Sequence, residues 1–309
     1  MTSGRSIALS ALTAVGAVGV GAAVWGIGIE RYLFTVRHHE LEVLPVGAEP
    51  IKILHVSDAH MAPWQHRKQR WMAALAELEP DLVVNTGDNL GHVEGLRGIR
   101  RAFDPLRGIP GVFVHGSNDL TAPSPRNPIR YFTGPSKAHP AAPPLDTDAL
   151  DSYLRDDLGW LDLNNAVGSL SVAGRRVDAF GVGDAHRHWD RIESLPLPLE
   201  RLRATGPADL TIGVSHAPYR RVLDAFTDLA ADVIFAGHTH GGQVRVPGYG
   251  ALVANCDIPL DQARGLSTWT RGDRVVPLNV SAGLGHSIYA PVRFACRPEA
   301  SLLTLLPVA

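Results

Sequence analysis

Two histidines one residue apart stand in Ala236-Gly237-His238-Thr239-His240-Gly241-Gly242-Gln243, directly behind Asp232-Val233-Ile234-Phe235, which reads as a strand. Alternate residues of an extended chain point to opposite faces, so both rings reach one site only where the backbone turns, and the flanking glycines permit that turn. Two imidazoles do not close a metal site, so further ligands are expected elsewhere. Asp58 and His60 follow the apolar run Ile51 to Ser57, Asp88 follows Asp81 to Asn85, Asn118 follows Gly111 to Val114, and His216 follows Asp209 to Val214. A lone histidine after a strand is usually satisfied by ordinary hydrogen bonds. Seven such donors gathered on one edge would crowd charge and lone pairs without compensation. A pair of divalent cations supplies the compensation, and mixed carboxylate and imidazole ligands suit Mn, Fe or Zn better than calcium.

These donors meet only if their strands are neighbours. Helical spacing over Arg67 to Glu79 and Val93 to Leu106 alternates with the first three strands. That βαβ pattern lines polar strand ends along one edge of an α/β sheet, where ligand sites form. A helix is expected over Asp148 to Leu158, and short strands near 160–164, 169–173 and 176–181. Strand-like runs at Gln243 to Val246, Ala251 to Ala254, Leu266 to Thr270 and Val275 to Val280 suggest a second, largely antiparallel sheet, with Ser301 to Leu306 as a closing strand. Asp184, His186 and His188 also follow a strand and could touch the site, although polar residues there are commonly plain loop. The proline-rich stretch Thr121 to Pro144 reads as a long loop or lid, whose Arg126, Arg130 and Lys137 could meet an anionic substrate or simply be solvated.

The chain has 309 residues, enough for one large catalytic domain after an N-terminal segment. A net charge of -2 gives no basic footprint, which argues against nucleic acid as a partner. Cys256 and Cys296 match no zinc-ribbon or redox spacing and read as buried thiols, with one disulfide open. Ile7 to Ile29 is a run of 23 residues without a charge. It exceeds the ~20 apolar residues that span a bilayer and the usual h-region of a signal peptide. The expected organisation is a membrane anchor over 1–30, a connector over 31–50 able to donate an edge strand, and the catalytic domain over 51–309. Arg5 before the apolar run and Arg31 and Arg37 after it are too balanced to set an orientation of this single-pass cell-membrane protein.

Taken in order, Asp58-x-His60, Gly87-Asp88, Gly116-Ser117-Asn118-Asp119, His216 before Pro218 and Gly237-His238-x-His240 resemble the blocks of the calcineurin-like metallophosphoesterase superfamily. Gly-His-Thr-His-Gly-Gly-Gln and the ending Gly283-Leu284-Gly285 through Pro291, Arg293 and Arg297-Pro298-Glu299 are similar to its YkuE/YaeI-type, membrane-associated branch. The resemblance implies an α/β fold of two mixed β-sheets sandwiched by helices in four layers. It also implies a first ion held by Asp58, His60 and His240, a second by His216, His238 and an asparagine, and Asp88 bridging them. The implied activity is metal-dependent hydrolysis of phosphodiester or pyrophosphate bonds, in a substrate that could be lipid-linked or nucleotide-linked.

One block departs from the family pattern of Gly-Asn-His followed by Asp or Glu. With the register kept from Gly116, Ser117 takes the ligand position; with a one-residue adjustment, Asn118 does. Asn118 is preferred, because an amide carbonyl is the better neutral oxygen donor. Either way the histidine that often protonates the leaving group is missing, a loss of the ~10²–10⁴-fold that general-acid help contributes. Adjacent His115 could substitute if its ring faced the site. The alternative reading is a catalytically weakened metal-binding module that acts through a partner.

Overall fold

The computed structural model describes residues 2–125 and 142–308. Arg126, Arg130 and Lys137 lie outside the described residues. Two six-stranded mixed sheets carry the architecture. In the first, strands β2 (Ile51–Val56), β3 (Leu82–Asn85), β4 (Gly111–Phe113) and β5 (Leu161–Asp162) run parallel. Antiparallel β14 (Glu299–Pro307) pairs with β2, and β1 (Thr35–Leu44) forms the outer edge against β14. Half of the connector is therefore a ten-residue strand of the catalytic domain's own sheet.

The second sheet runs β12 (Gly265–Arg271), β13 (Arg274–Val280), β9 (Val233–Ala236), β8 (Leu210–Val214), β7 (Arg175–Gly181) and β6 (Ala166–Val172). Its central strands are parallel and only the pairs at its two edges are antiparallel, so it is mixed rather than largely antiparallel. The runs at 243–246 and 251–254 shorten to the two-residue strands β10 (Arg245–Val246) and β11 (Gly250–Ala251), paired only with each other. Glycines and prolines in this stretch allow no longer ladder.

Between the sheets lies a core of Ile51, Ile53, Leu82, Val84 and Val112 against Val177, Ile212, Val214, Val233 and Phe235. Helices α2 (His66–Ala73), α3 (Gly95–Phe103) and α4 (Thr147–Ser152) belong to the first sheet's side of the sequence, and residues of all three enter its outer core around Met72, Phe103 and Leu150. The second sheet's outer core takes in α5 (Pro196–Arg203) and α6 (Arg220–Asp228) through Leu199, Val222 and Phe226. The result is the expected four layers. Burial of both faces explains why the parallel strands read as nearly continuous apolar runs.

Helix α1 covers Thr2–Gly28. Among the described residues no helix is long and apolar enough to cross a membrane. The structure thus carries the helical half of the expectation for residues 7–29 and not the membrane-spanning half. The end of α1 is built into the domain: Gly26 accepts a backbone hydrogen bond from Arg293, and Trp25 Nε1 donates to Glu30 at 2.6 Å. The buried Glu30 carboxylate also accepts from the backbone N–H groups of Ala295 and Cys296.

Candidate metal centre

The ends of β2, β3, β4, β8 and β9 deliver all the expected donors to one place. Asp58 follows β2, and its Oδ2 accepts from Ser57 Oγ at 2.5 Å and from the His238 N–H at 2.9 Å. These bonds pin the carboxylate and leave Oδ1 buried without a hydrogen-bond partner. His240 Nε2 lies 3.4 Å from that oxygen and 3.0 Å from His60 Nε2. After β3, Asp88 places Oδ2 3.5 Å from His60 Nε2 and 3.6 Å from His216 Nε2. The carboxylate lies between two imidazoles that arrive from different sheets.

Asn118 donates to Asp88 through both its backbone N–H (2.8 Å) and its Nδ2 (2.6 Å). Ser117 instead turns its backbone N–H to Asp184 at 3.0 Å. Asn118 therefore has its side chain at the carboxylate between the two histidines. His216 directs Nδ1 at the Thr86 carbonyl, 2.7 Å away, so that nitrogen donates and Nε2 faces the cluster. His238 Nδ1 lies 3.3 Å from that Nε2, and its own Nε2 lies 3.2 Å from the Asn255 carbonyl.

The turn required of His238-x-His240 is made by the backbone itself. His238 (φ 68°) and His240 (φ 50°) sit in the left-handed region, as do Asp58 (φ 48°), His60 (φ 39°) and Asp88 (φ 52°). Such conformations cost of order 1–3 kcal/mol each in residues with a Cβ and cluster at functional sites. Glycine is needed where the loops touch: a Cβ on Gly116 would collide with Asp88 and His216, and one on Gly237 with Ser57 and Asp58.

Electrostatics separate the rings. Burial holds His60 and His238 down to about 3, so both are neutral and offer lone pairs; Asp88 only partly offsets this at His60. At His216 burial again pulls downward, but Asp88, Asp184 and Asp58 outweigh it and raise the ring to about 9. For Asp58 burial pushes upward, yet the imidazoles of His240, His216 and His60 hold it below the usual carboxylate range.

Donor atoms of Asp58, His60 and His240, and of Asp58, Asp88 and His216, each fall within 4.8 Å of one another. Ligands ~2.0–2.1 Å from one cation stand roughly 3 Å apart, which is the spacing of the His60 and His240 nitrogens. Together with the orphaned Asp58 Oδ1, this donor set fits divalent cations.

Around this centre are groups that the sequence placed less well. Asp184 joins it through Ser117, and the His186 ring lies 4.3 Å from that of His238 with Nδ1 3.1 Å from Tyr219 Oη. The strand-end position that flagged Asp58 was present for both. His188 turns away, 3.5 Å from Arg221. His115 directs Nε2 to Asp151 (2.5 Å) and Nδ1 to Asp119 (3.4 Å), so carboxylates engage both its nitrogens. Arg293, fully buried, donates to the carbonyls of Ala282, Gly283 and Gly285 and lies 3.3 Å from His240 Nδ1. Those bonds show what the Gly283-Leu284-Gly285 to Arg293 pattern does: it closes one loop behind His240.

Among curated proteins the chain is 24% identical to the metallophosphoesterase YkuE of Bacillus subtilis over 310 residues, covering 97% of this chain and 93% of that one. It is 26% identical to the phosphodiesterase YaeI of Escherichia coli, covering 91% and 93%. The UDP-2,3-diacylglucosamine pyrophosphatase LpxG of Chlamydia trachomatis is 25% identical, covering 96% and 97%. The calcineurin-like phosphoesterase family model matches residues 51–242, a span that includes every metal-ligand candidate. With that match and with YkuE and YaeI among its relatives, the chain belongs to the calcineurin-like phosphoesterase family.

Proposed function

We propose that this chain is a membrane-anchored hydrolase of phosphodiester or pyrophosphate bonds that works with two divalent cations, Mn, Fe or Zn. Asp58, His60 and His240 would hold the first, and His216, His238 and Asn118 the second, with Asp88 shared. The observation that carries this reading is Asp88 Oδ2 between His60 Nε2 and His216 Nε2, at 3.5 and 3.6 Å. When bound, such a pair polarises a phosphoryl oxygen and makes water a nucleophile near neutral pH. The chain's own part is to hold the ligands still. Thr86 fixes the His216 tautomer, Ser57 and the His238 N–H fix Asp58, and Asn118 orients Asp88.

The preference for pyrophosphates and for diesters of activated phenols rests on the leaving group. With Asn118 as the ligand, the histidine of the family pattern has no counterpart, and His115 is held by Asp119 and Asp151. A phosphate or activated phenol departs with little protonation, so it suffers least from a missing acid. The printed names of YaeI and LpxG, a phosphodiesterase and a pyrophosphatase, support the same choice. Support for the anchor comes from the uncharged run 7–29, which lies within helix α1 as far as Gly28.

The full chain, loaded with Mn²⁺, should hydrolyse bis-p-nitrophenyl phosphate faster than p-nitrophenyl phosphate. Asp88→Asn should lower that rate by more than about 100-fold, beyond the 10–100-fold typical of outer-shell changes. The competing reading, a weakened metal-binding module, is motivated by the same missing histidine. Metal binding without Asp88-dependent turnover would favour it over the hydrolase.

A further inference from the structure

The loop behind the metal centre joins three parts of the surface. On one side, Arg293 N donates to Gly26 O at 3.1 Å, and Val292 lies against Gly26 at the end of α1. On the other, Phe294 exchanges backbone hydrogen bonds with Gln243 and Arg245, and Gln243 Nε2 donates to the Ala290 carbonyl at 3.0 Å. The end of α1, the 287–294 loop and the β10–β11 hairpin are thus stitched in sequence, starting five residues after His240. All three present apolar side chains to solvent. Ile27 and Ile29 are exposed at the helix end, Tyr289 is 51% exposed on the loop, and the hairpin shows Val246, Leu252 and Tyr249, the last 75% exposed.

Single exposed apolar residues need no explanation, but a contiguous group beside a site does. From this continuity we infer that the β10–β11 hairpin and the Tyr289 loop form a rim resting on the bilayer that α1 enters, so that the metal centre is held beside the lipid headgroups. The inference rests on the anchored reading of α1. Two features select a lipid surface as the occupant. The rim is joined to the last turn of the uncharged run 7–29 by the Arg293 N–H bond to the Gly26 carbonyl, and its largest exposed side chains are tyrosines, which settle at membrane interfaces with the ring in the acyl boundary and the hydroxyl in water. Attachment is direct, not through a flexible linker: Glu30 and Arg293 lock the helix end to the loop, which fixes the rim's height relative to α1.

The test uses the full chain in nanodiscs of phosphatidylcholine and phosphatidylglycerol, one chain per disc, in a Cys256→Ala background. An environment-sensitive fluorophore is placed at Tyr249→Cys and, as a control, at Val275→Cys, an exposed position at the start of β13. The site 249 label should shift to the blue and be quenched severalfold more by brominated lipid than by aqueous iodide, with the reverse at 275. If the chain floats with discs but iodide quenches both labels alike, the rim is overturned and the anchor stands. A site 249 label shielded from both quenchers would mark a protein partner and also overturn it. Failure to float removes the anchor and the rim together. None of these outcomes bears on Mn²⁺-dependent hydrolysis of the soluble diester, which tests the hydrolase separately.

Discussion

Asn118 stands in the block where this chain departs from its family's pattern, and the structure gives that departure a geometry. Its amide lies on Asp88, while Ser117 is held by Asp184 through the main chain. Asn118→Ala should therefore lower bound metal towards one ion per chain, and Ser117→Ala should leave the content unchanged. Elemental analysis of both variants checks this, and loss confined to the serine variant would reverse the ligand assignment. The residue types at the centre were legible because carboxylate and imidazole follow apolar runs with little else to do there. Arg293 was legible only as part of a family pattern. Nothing in its type or spacing tells that its guanidinium will be buried against three loop carbonyls behind His240. That depends on how residues 283–298 fold back.

At the level of elements, strands were easier to read than helices. β2, β3, β4, β8 and β9 are short apolar runs bounded by polar residues, and each ends at a donor. Helices α5 and α6 carried weaker signals. Pro196 and Pro198 in α5 look like breakers, although proline is tolerated in a first turn, and α6 has three large apolar residues, Val222, Leu223 and Phe226, clustered among charged ones.

The contact between the loop after β4 and helix α4 has a pH signature. Burial alone would lower His115, but its hydrogen bonds to Asp119 and Asp151 on α4 raise it from 6.5 to about 10. The charged ring stabilises the fold fully below pH 6.5, and that contribution is lost as pH rises through about 10. Melting temperatures between pH 6 and 10 should fall more steeply for the native chain than for His115→Asn. Parallel slopes would show that the ring does not carry the effect.

Across the whole molecule, the end of the N-terminal helix is tied to the catalytic layers by a few contacts. Glu30 accepts from Trp25, Ala295 and Cys296. Replacing it with alanine leaves the backbone donors of Ala295 and Cys296 without their partner at about 1–3 kcal/mol apiece, whereas the exposed Trp25 ring can turn to water. Chemical denaturation of the full chain should show a stability loss of roughly 2 kcal/mol or more. A loss below about 1 kcal/mol, the net worth of one ordinary hydrogen bond, would mean that this seam does not hold the helix.

The strand order of the first sheet bears on biosynthesis. β14 lies between β1 and β2, although about 240 residues separate it from β2 in the chain. Translation delivers β1 and β2 early, and they must wait as unpaired edges until β14 leaves the ribosome, since non-local pairing is gained only after the loop between is closed. The helix that precedes β1 is therefore made, and available to a translocation apparatus, while the sheet behind it is still incomplete.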